Sequence, residues 1–436
     1  MPERRSRFAR DSFGVFGAQL LVTTLGVGTG VITARALGPH DRGLFQLLVL
    51  LPTTLANFAK LGIPQATIYF IRRRGASASR VASNSVWMAL VLGGALALVA
   101  WGGRDWLLAS VLKDTPLVTL APVLALIPVV VLQTYLLGVL QAEERFQEYN
   151  LQQVAPNVLG LVGMAAVLLW LRWGLIGAVL TQTMIVAGMT GWLVWRVHRR
   201  APLRATIDRP LAREMLGFGG KSYLQTLAAT LHLRIDQYMI AFFLDPVQVG
   251  FYAVAVNLTN LLLKVPDATG TVLYPRLAAS AERDMHAATS RVCRYTLFVT
   301  AALALGYALF GGLAVRLLFG PQFAEAIRPM RLMLPGIVMM SLYLILTRNF
   351  TSRNRQQVNI VAAGAALVLN VALNWVLIPR FGIAGAAVST AISYSVAALV
   401  LLLMFVRESG YSVGRTVLVD RDDIGALARL ATAGRR

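Results

Sequence analysis

Very little in this chain can hold a metal, close a disulfide or bind a nucleotide. Its single cysteine, Cys293, excludes a disulfide within one chain and any cysteine-based cluster. Its four histidines contain no ligand-like pair, so zinc has no site. Charged residues make up 14% of the 436 positions, against about 25% in soluble domains, which excludes an ordinary water-soluble fold. No Walker motif occurs. Gly26, Gly28 and Gly30 lie inside an apolar run with no strand before them, where small residues permit close helix packing. ATP is therefore not the direct energy source, and no cofactor is expected. Acidic residues are also scarce, 20 against 41 Lys and Arg. The net charge of +21 would suit nucleic acid in a soluble protein. Here the basic residues punctuate apolar segments, so nucleic acid is not an expected partner.

What is present is apolar: 57% hydrophobic residues and a mean hydropathy of +0.64. Runs long enough to cross a bilayer, about 20 residues each, are separated by short polar or Gly/Pro breaks. They predict an all-α polytopic membrane protein with twelve spans near 12–37, 43–71, 81–102, 116–140, 151–171, 174–197, 216–244, 248–275, 292–317, 331–351, 355–378 and 382–406. The run 12–37 is too long for the apolar region of a signal peptide, so it reads as a retained membrane helix. No loop is long enough for a soluble domain.

Lys and Arg set the expected orientation. With a cytoplasmic N-terminus, 29 fall on the cytoplasmic side, 8 on the other, and Arg35, Lys60, Arg234 and Lys264 fall within spans. Both termini are then cytoplasmic and the membrane is the plasma membrane.

Three matches in order reveal an internal repeat. Leu37-Gly38-Pro39 with Gly43-Leu44-Phe45 parallels Leu244-Asp245-Pro246 with Gly250-Phe251-Tyr252 at an offset of 207. Leu126-Ile127-Pro128 parallels Met333-Leu334-Pro335 at the same offset, and Arg172-Trp173-Gly174 parallels Arg380-Phe381-Gly382 at 208. Six spans per half make the repeat parallel, about an axis along the membrane normal. The expected organisation is a six-helix lobe over 1–197, a basic cytoplasmic connector over 198–215, a second six-helix lobe over 216–406, and a cytoplasmic tail over 407–436.

Polar residues inside the spans mark candidate function. A charge at the bilayer centre costs about 2.5–3.5 kcal/mol on insertion scales. Asn257, Asn260, Lys264 and Asp267 step by three, four and three along the eighth span and share one helix face. At the repeat offset, Thr53, Asn57 and Lys60 occupy the same face of the second span. Gln225, His232 and Asp236 share a face of the seventh. Two related faces that avoid lipid are expected to meet at the repeat interface, where transporters place substrate.

The residues Ala34-Arg35-Ala36-Leu37-Gly38-Pro39, Leu233-Arg234-Ile235-Asp236-Gln237, Phe319-Gly320-Pro321-Gln322-Phe323 and the run Asn370 to Pro379 resemble one family. It is the Wzx-type polysaccharide flippases, a branch of the multidrug/oligosaccharidyl-lipid/polysaccharide exporter superfamily. The resemblance covers nearly the whole chain. It implies a V-shaped, two-lobed, MATE-like fold that moves polyprenyl-diphosphate-linked glycan from the inner to the outer leaflet, among membrane lipids. It also implies a cationic central cavity, with Arg35, Lys60, Arg234 and Lys264 as candidates beside Asn57, Asn257 and Asn260. Twelve spans depart from the fourteen of the lipid II flippase branch, which disfavours peptidoglycan precursor as cargo.

Each site residue has a plainer reading. Lys60 and Lys264 sit too deep for snorkelling to be preferred, whereas Arg35, near a span end, suits it equally. Asp236 and His232 at i and i+4, with Asp267, are candidates for proton or sodium coupling or for structural neutralisation. Asn370 and Asn374 read better as interhelical hydrogen-bond partners than as cargo ligands. A multidrug exporter would need anionic cavity groups, and a glycan polymerase or ligase a sizeable outer loop. Both are disfavoured, while contact with glycan polymerase machinery stays open.

Overall fold

The computed structural model describes residues 2–270 and 282–418, and their side chains apart from those of 2–20, 221, 222, 224–226, 229, 282 and 283. Gln225 therefore lies outside the described side chains. Among the described residues the protein is helical, without strands. Nine helices there are long and apolar enough to cross a membrane. This is a multi-pass, all-α membrane fold. Its apolar surface agrees: Leu98 and Val99 are 73% exposed and Trp170 85%, a surface that water would penalise and lipid accepts.

The chain forms two compact units, 1–253 and 254–436. In the first, α1 (Pro2–Ala59) is bent at Gly38, whose φ of 73° glycine adopts freely, with Pro39 restarting the helix. There follow α2 (Ile63–Arg72), α3 (Ala78–Gly102), a short α4 (Arg104–Ser110), α5 (Leu117–Ala142), α6 (Phe146–Met164), which runs into a π-helical turn at Ala165–Trp170, and α7 (Gly174–Arg200). The expected tight re-entry at Arg172-Trp173 is present, with Arg172 at φ 54° and Gly174 at φ 58°. Then come α8 (Arg209–His232), α9 (Ile235–Phe243) and α10 (Pro246–Leu262), the last of which passes from the first unit into the second. Asp245 accepts from Gln248 N–H at 3.0 Å and Pro246 occupies the first helical turn, so the chain starts α10 with both of its usual start signals.

The connector is pinned rather than loose. Asn84, fully buried on α3, donates to Asp208 O at 2.9 Å and accepts from Asp208 N–H at 2.8 Å. Arg204 N–H donates to Ser83 at 2.8 Å. Met215 of α8 then joins the core formed by Ala56, Ile63, Phe70 and Tyr135, so α8 packs into the first unit.

The two copies of the repeated Gly-Pro turn meet inside this unit in reciprocal fashion. A Cβ on Gly43 would stand 1.8 Å from the Pro246 carbonyl oxygen, and one on Gly250 would stand 2.1 Å from that of Pro39. Each glycine thus touches the partner motif's proline.

In the second unit the chain continues helically over 264–270, then through α11 (Glu282–Leu318), α12 (Ile327–Ser352), α13 (Gln356–Ser409) and α14 (Val413–Val417). The helix α13 turns at Gly382, φ 61°, the counterpart of Gly174 at the offset of 208. Asn370 donates to Ser393 at 3.3 Å and Asn374 to Asn370 at 3.0 Å, all with no exposure. These asparagines fasten the two arms of α13, the interhelical reading of their spacing. Asn349 on α12 donates to Thr289 on α11 at 2.9 Å.

Candidate functional site

Three spans expected as continuous helices are interrupted, and each interruption carries a cation. The helix α1 ends at Ala59 and Lys60 follows, before Leu61 and Gly62 take positive φ. The span expected over 216–244 breaks between His232 and Ile235, at Arg234. The span expected over 248–275 breaks after Leu262, and Lys264 follows. A helix C-terminus carries about half a negative charge, which favours a nearby cation by about 0.3–1 kcal/mol. That offsets only part of the roughly 2.5–3.5 kcal/mol cost of a mid-membrane cation. The breaks position the cations without neutralising them.

Lys60 makes no ion pair with any described residue, and Arg234 likewise. Both are half-buried, and the field of Arg234 reaches Lys60, a repulsion between like charges within the first unit. Tyr238 on α9 lies within the field of Arg234. Asn57, one turn before Lys60, is buried. The interruption is held open by backbone contact. Gly62 meets Gly219 of α8 so closely that a Cβ on Gly62 would stand 2.2 Å from the Gly219 oxygen. Buried Tyr135 donates its hydroxyl to the Ala59 carbonyl freed where α1 stops.

Lys60 borders a cavity of about 220 Å³ whose polar lining includes Gln65, Thr134, Gln141, Tyr149 and Tyr223. Sequence reasoning missed these five. Gln65 follows the break, Thr134 and Gln141 lie on α5, Tyr149 on α6 and Tyr223 on α8, so no periodicity within one span connects them. The neighbouring cluster joins Glu148 to Arg145, three residues away, and to Arg196, 48 residues away; the second pairing was illegible in the sequence.

In the second unit the stripe straddles the break after Leu262, with Asn257 and Asn260 before it and Lys264 and Asp267 after it. Asn257, Lys264 and Asp267 are exposed and Asn260 half-buried, whereas Leu258, Thr259 and Leu262 between them are buried. Asp267 faces Arg348, 3.2 Å away, and forms no ion pair with Lys264. Asp236 is buried and accepts from the Tyr252 hydroxyl at 2.9 Å. His232 is buried too, but the break at Arg234 places it on a different helix from Asp236, so the shared face expected from i and i+4 spacing is not that of one continuous helix. Arg35 sits on the exposed side of α1, one turn before Gly38, away from the residues that line the Lys60 cavity.

Residues 8–281 match the family described as polysaccharide biosynthesis protein. A Haloferax volcanii protein named as a low-salt glycan biosynthesis flippase is 23% identical over 219 residues, 49% of this chain and 46% of that one, so the match spans less than half of that relative. A Shigella flexneri protein named as an O-antigen transporter is 20% identical over 387 residues, 86% of this chain and 92% of that one. Among solved structures, the lipid II flippase MurJ in an inward closed conformation superposes with a TM-score of 0.77 at 14% identity, over 90% of this chain and 89% of that one. At that identity the likeness is one of fold.

Proposed function

Because this chain belongs to the polysaccharide biosynthesis protein family, we propose that it is a flippase for polyprenyl-diphosphate-linked oligosaccharide. It moves cargo from the inner to the outer leaflet of the plasma membrane by alternating access and supplies cell-surface polysaccharide synthesis. The observation that carries this reading is Lys60: a cation inside a membrane span, without a carboxylate partner among the described residues, bordering a polar cavity. Such a group is stabilised when an anion arrives. A diphosphate diester brings about two negative charges, and charge-assisted hydrogen bonds to it strengthen in a low dielectric. Lys60 and Arg234 hold the diphosphate in the first unit, with Asn57 beside them. Lys264, with Asn257 and Asn260, is the candidate in the second, and Arg35 is the outermost of the four cations. The polyprenyl chain stays in lipid. Asp236, His232 and Asp267 are the candidates for proton or sodium coupling.

The names of the Haloferax and Shigella relatives support glycan as cargo. A multidrug exporter on this fold remains the second reading, and the cations around Lys60 disfavour cationic drugs.

The test is flipping of a fluorescent polyprenyl-diphosphate-linked sugar in proteoliposomes. Lys60→Ala should lower the rate at least about tenfold with protein level unchanged, since one charge-assisted bond of about 1.5–3 kcal/mol is lost. Lys60→Arg keeps the charge in a different shape and should retain part of the activity. Parent-like flipping by Lys60→Ala rejects the diphosphate role.

A further inference from the structure

The end of α7 carries arginines and tryptophans that the cargo residues do not involve. Trp195 is 45% exposed, and the Arg199 guanidinium lies 4.3 Å from its ring centroid. Arg196 stands 5.9 Å from both the Trp192 and the Trp195 rings, and it shares Glu148 of α6 with Arg145. Arg199 and Arg200 are exposed and pair with no carboxylate among the described residues. A tryptophan at the end of an apolar span sits at headgroup depth, its ring half in hydrocarbon and half wet. A second, separate observation lies nearer the middle of the span. Leu180, Met184, Gly188, Gly191, Trp195 and Arg199 step by four, four, three, four and four, so they share one helix face. Met184 is 72% exposed, and a Cβ added to Gly188 or Gly191 would meet nothing within 4 Å. The opposite face, with Val179, Thr190, Leu193 and Val197, is buried in the first unit. Glycines in membrane spans ordinarily let a neighbouring helix approach. No described residue fills this place, so the two glycines leave a shallow apolar depression that leads to the arginines.

We propose that this face of α7 is a binding site for an anionic phospholipid. Arg199 and Arg200 take phosphate oxygens of the headgroup, and Trp195 covers the glycerol backbone. One acyl chain lies along Leu180 and Met184, in the depression at Gly188 and Gly191. Guanidinium donors match phosphate oxygens in pairs, and the indole ring beside Arg199 holds its plane in place. Charge complementarity selects this occupant. A zwitterionic lipid brings its own cation near the arginines and gains less. A second copy of the chain would set Arg199 and Arg200 against the same residues, like charge on like. Free phosphate makes no use of the depression. Lipid binding here is independent of the cargo and stands whether or not the chain is a flippase.

The experiment is native mass spectrometry of the purified full chain in detergent, titrated with phosphatidylglycerol, phosphatidylcholine or glycerol 1-phosphate. Phosphatidylglycerol should give a saturable first adduct at least about fivefold tighter than phosphatidylcholine does, and glycerol 1-phosphate should give none. Arg199→Gln should weaken that adduct about fivefold, the effect of one basic residue at an anionic membrane surface, and Arg200→Gln similarly. Both side chains are exposed, so neither change touches the core. Gly188→Leu fills the depression and should weaken the adduct with every arginine still in place. Arg73, exposed at the end of α2 and without a carboxylate partner among the described residues, provides the control. Arg73→Gln should bind phosphatidylglycerol as the parent does. The proposal is overturned if phosphatidylcholine binds as tightly, if Arg73→Gln loses as much as Arg199→Gln, or if Gly188→Leu changes nothing. Glycerol 1-phosphate binding as tightly as phosphatidylglycerol marks an anion site without a lipid and rejects it too. Polyprenyl phosphate that displaces equimolar phosphatidylglycerol gives the face to cargo, and a dimer that Gly188→Leu splits gives it to a second copy. Either result rejects the phospholipid.

Discussion

Tyr135 shows how a single side chain makes a broken membrane helix tolerable. Where α1 stops at Ala59 its last carbonyls lose their helical partners, and in lipid no water replaces them. The Tyr135 hydroxyl, fully buried, serves the Ala59 carbonyl. Tyr135→Phe leaves that acceptor unsatisfied and should cost about 1–3 kcal/mol, read as a lower melting temperature of the purified protein. Asp267 behaves differently. Its pair with Arg348 joins side chains that are 51% and 40% exposed, and exposed pairs contribute about 0–1 kcal/mol. Asp267→Asn should therefore leave the melting temperature nearly unchanged. A transport defect in that variant with normal stability would assign Asp267 to coupling rather than to structure.

At the scale of elements, the two Gly-Pro turns repeat in sequence and also touch. Gly43 against Pro246 and Gly250 against Pro39 bring backbone to backbone, closer than any side chain allows. Gly43→Ala and Gly250→Ala must each push two helices apart, an overpacking that costs about 1–3 kcal/mol. Gly26, which has nothing within 4 Å of an added Cβ, is the control, and Gly26→Ala should be neutral or slightly stabilising. Equal melting temperatures for all three variants would show that the close approach carries no stability.

For the whole molecule, the charge bias predicts an orientation that labelling tests. Cysteines placed at His40, Asp114 and Gln322 in a Cys293→Ser background should react with an impermeant thiol reagent applied outside cells. Those at Ser77 and Arg204 should not. All five positions are exposed or half-buried, so accessibility is not the limiting factor. Labelling of Ser77 from outside reverses the expected topology. The six-plus-six lobes drawn at 198–215 are an assignment of repeats. Packing draws its own line at Ala253, because Met215 buries itself in the first unit's core and the connector is bonded to Asn84.

Hydrophobic run length alone dictated a polytopic helical membrane protein, since a run of about 20 apolar residues crosses lipid as a helix that satisfies its own polar backbone groups. The sharp turns at Gly174 and Gly382 were legible because glycine adopts positive φ freely where the chain turns. The exposure of Asn257, Lys264 and Asp267 between buried Leu258, Thr259 and Leu262 followed from helical spacing, which is local. Three things were decided only in three dimensions. The first is the set of interruptions at Lys60, Arg234 and Lys264, whose flanking sequences read as ordinary apolar helix until packing of Gly62 on Gly219 is seen. The second is the gathering of Gln65, Gln141, Tyr149 and Tyr223 around Lys60, four residues on four helices. The third is the ion pair of Asp267 with Arg348, 81 residues further along the chain. Each depends on which helices lie side by side, and helix spacing within one span carries no information about its neighbours.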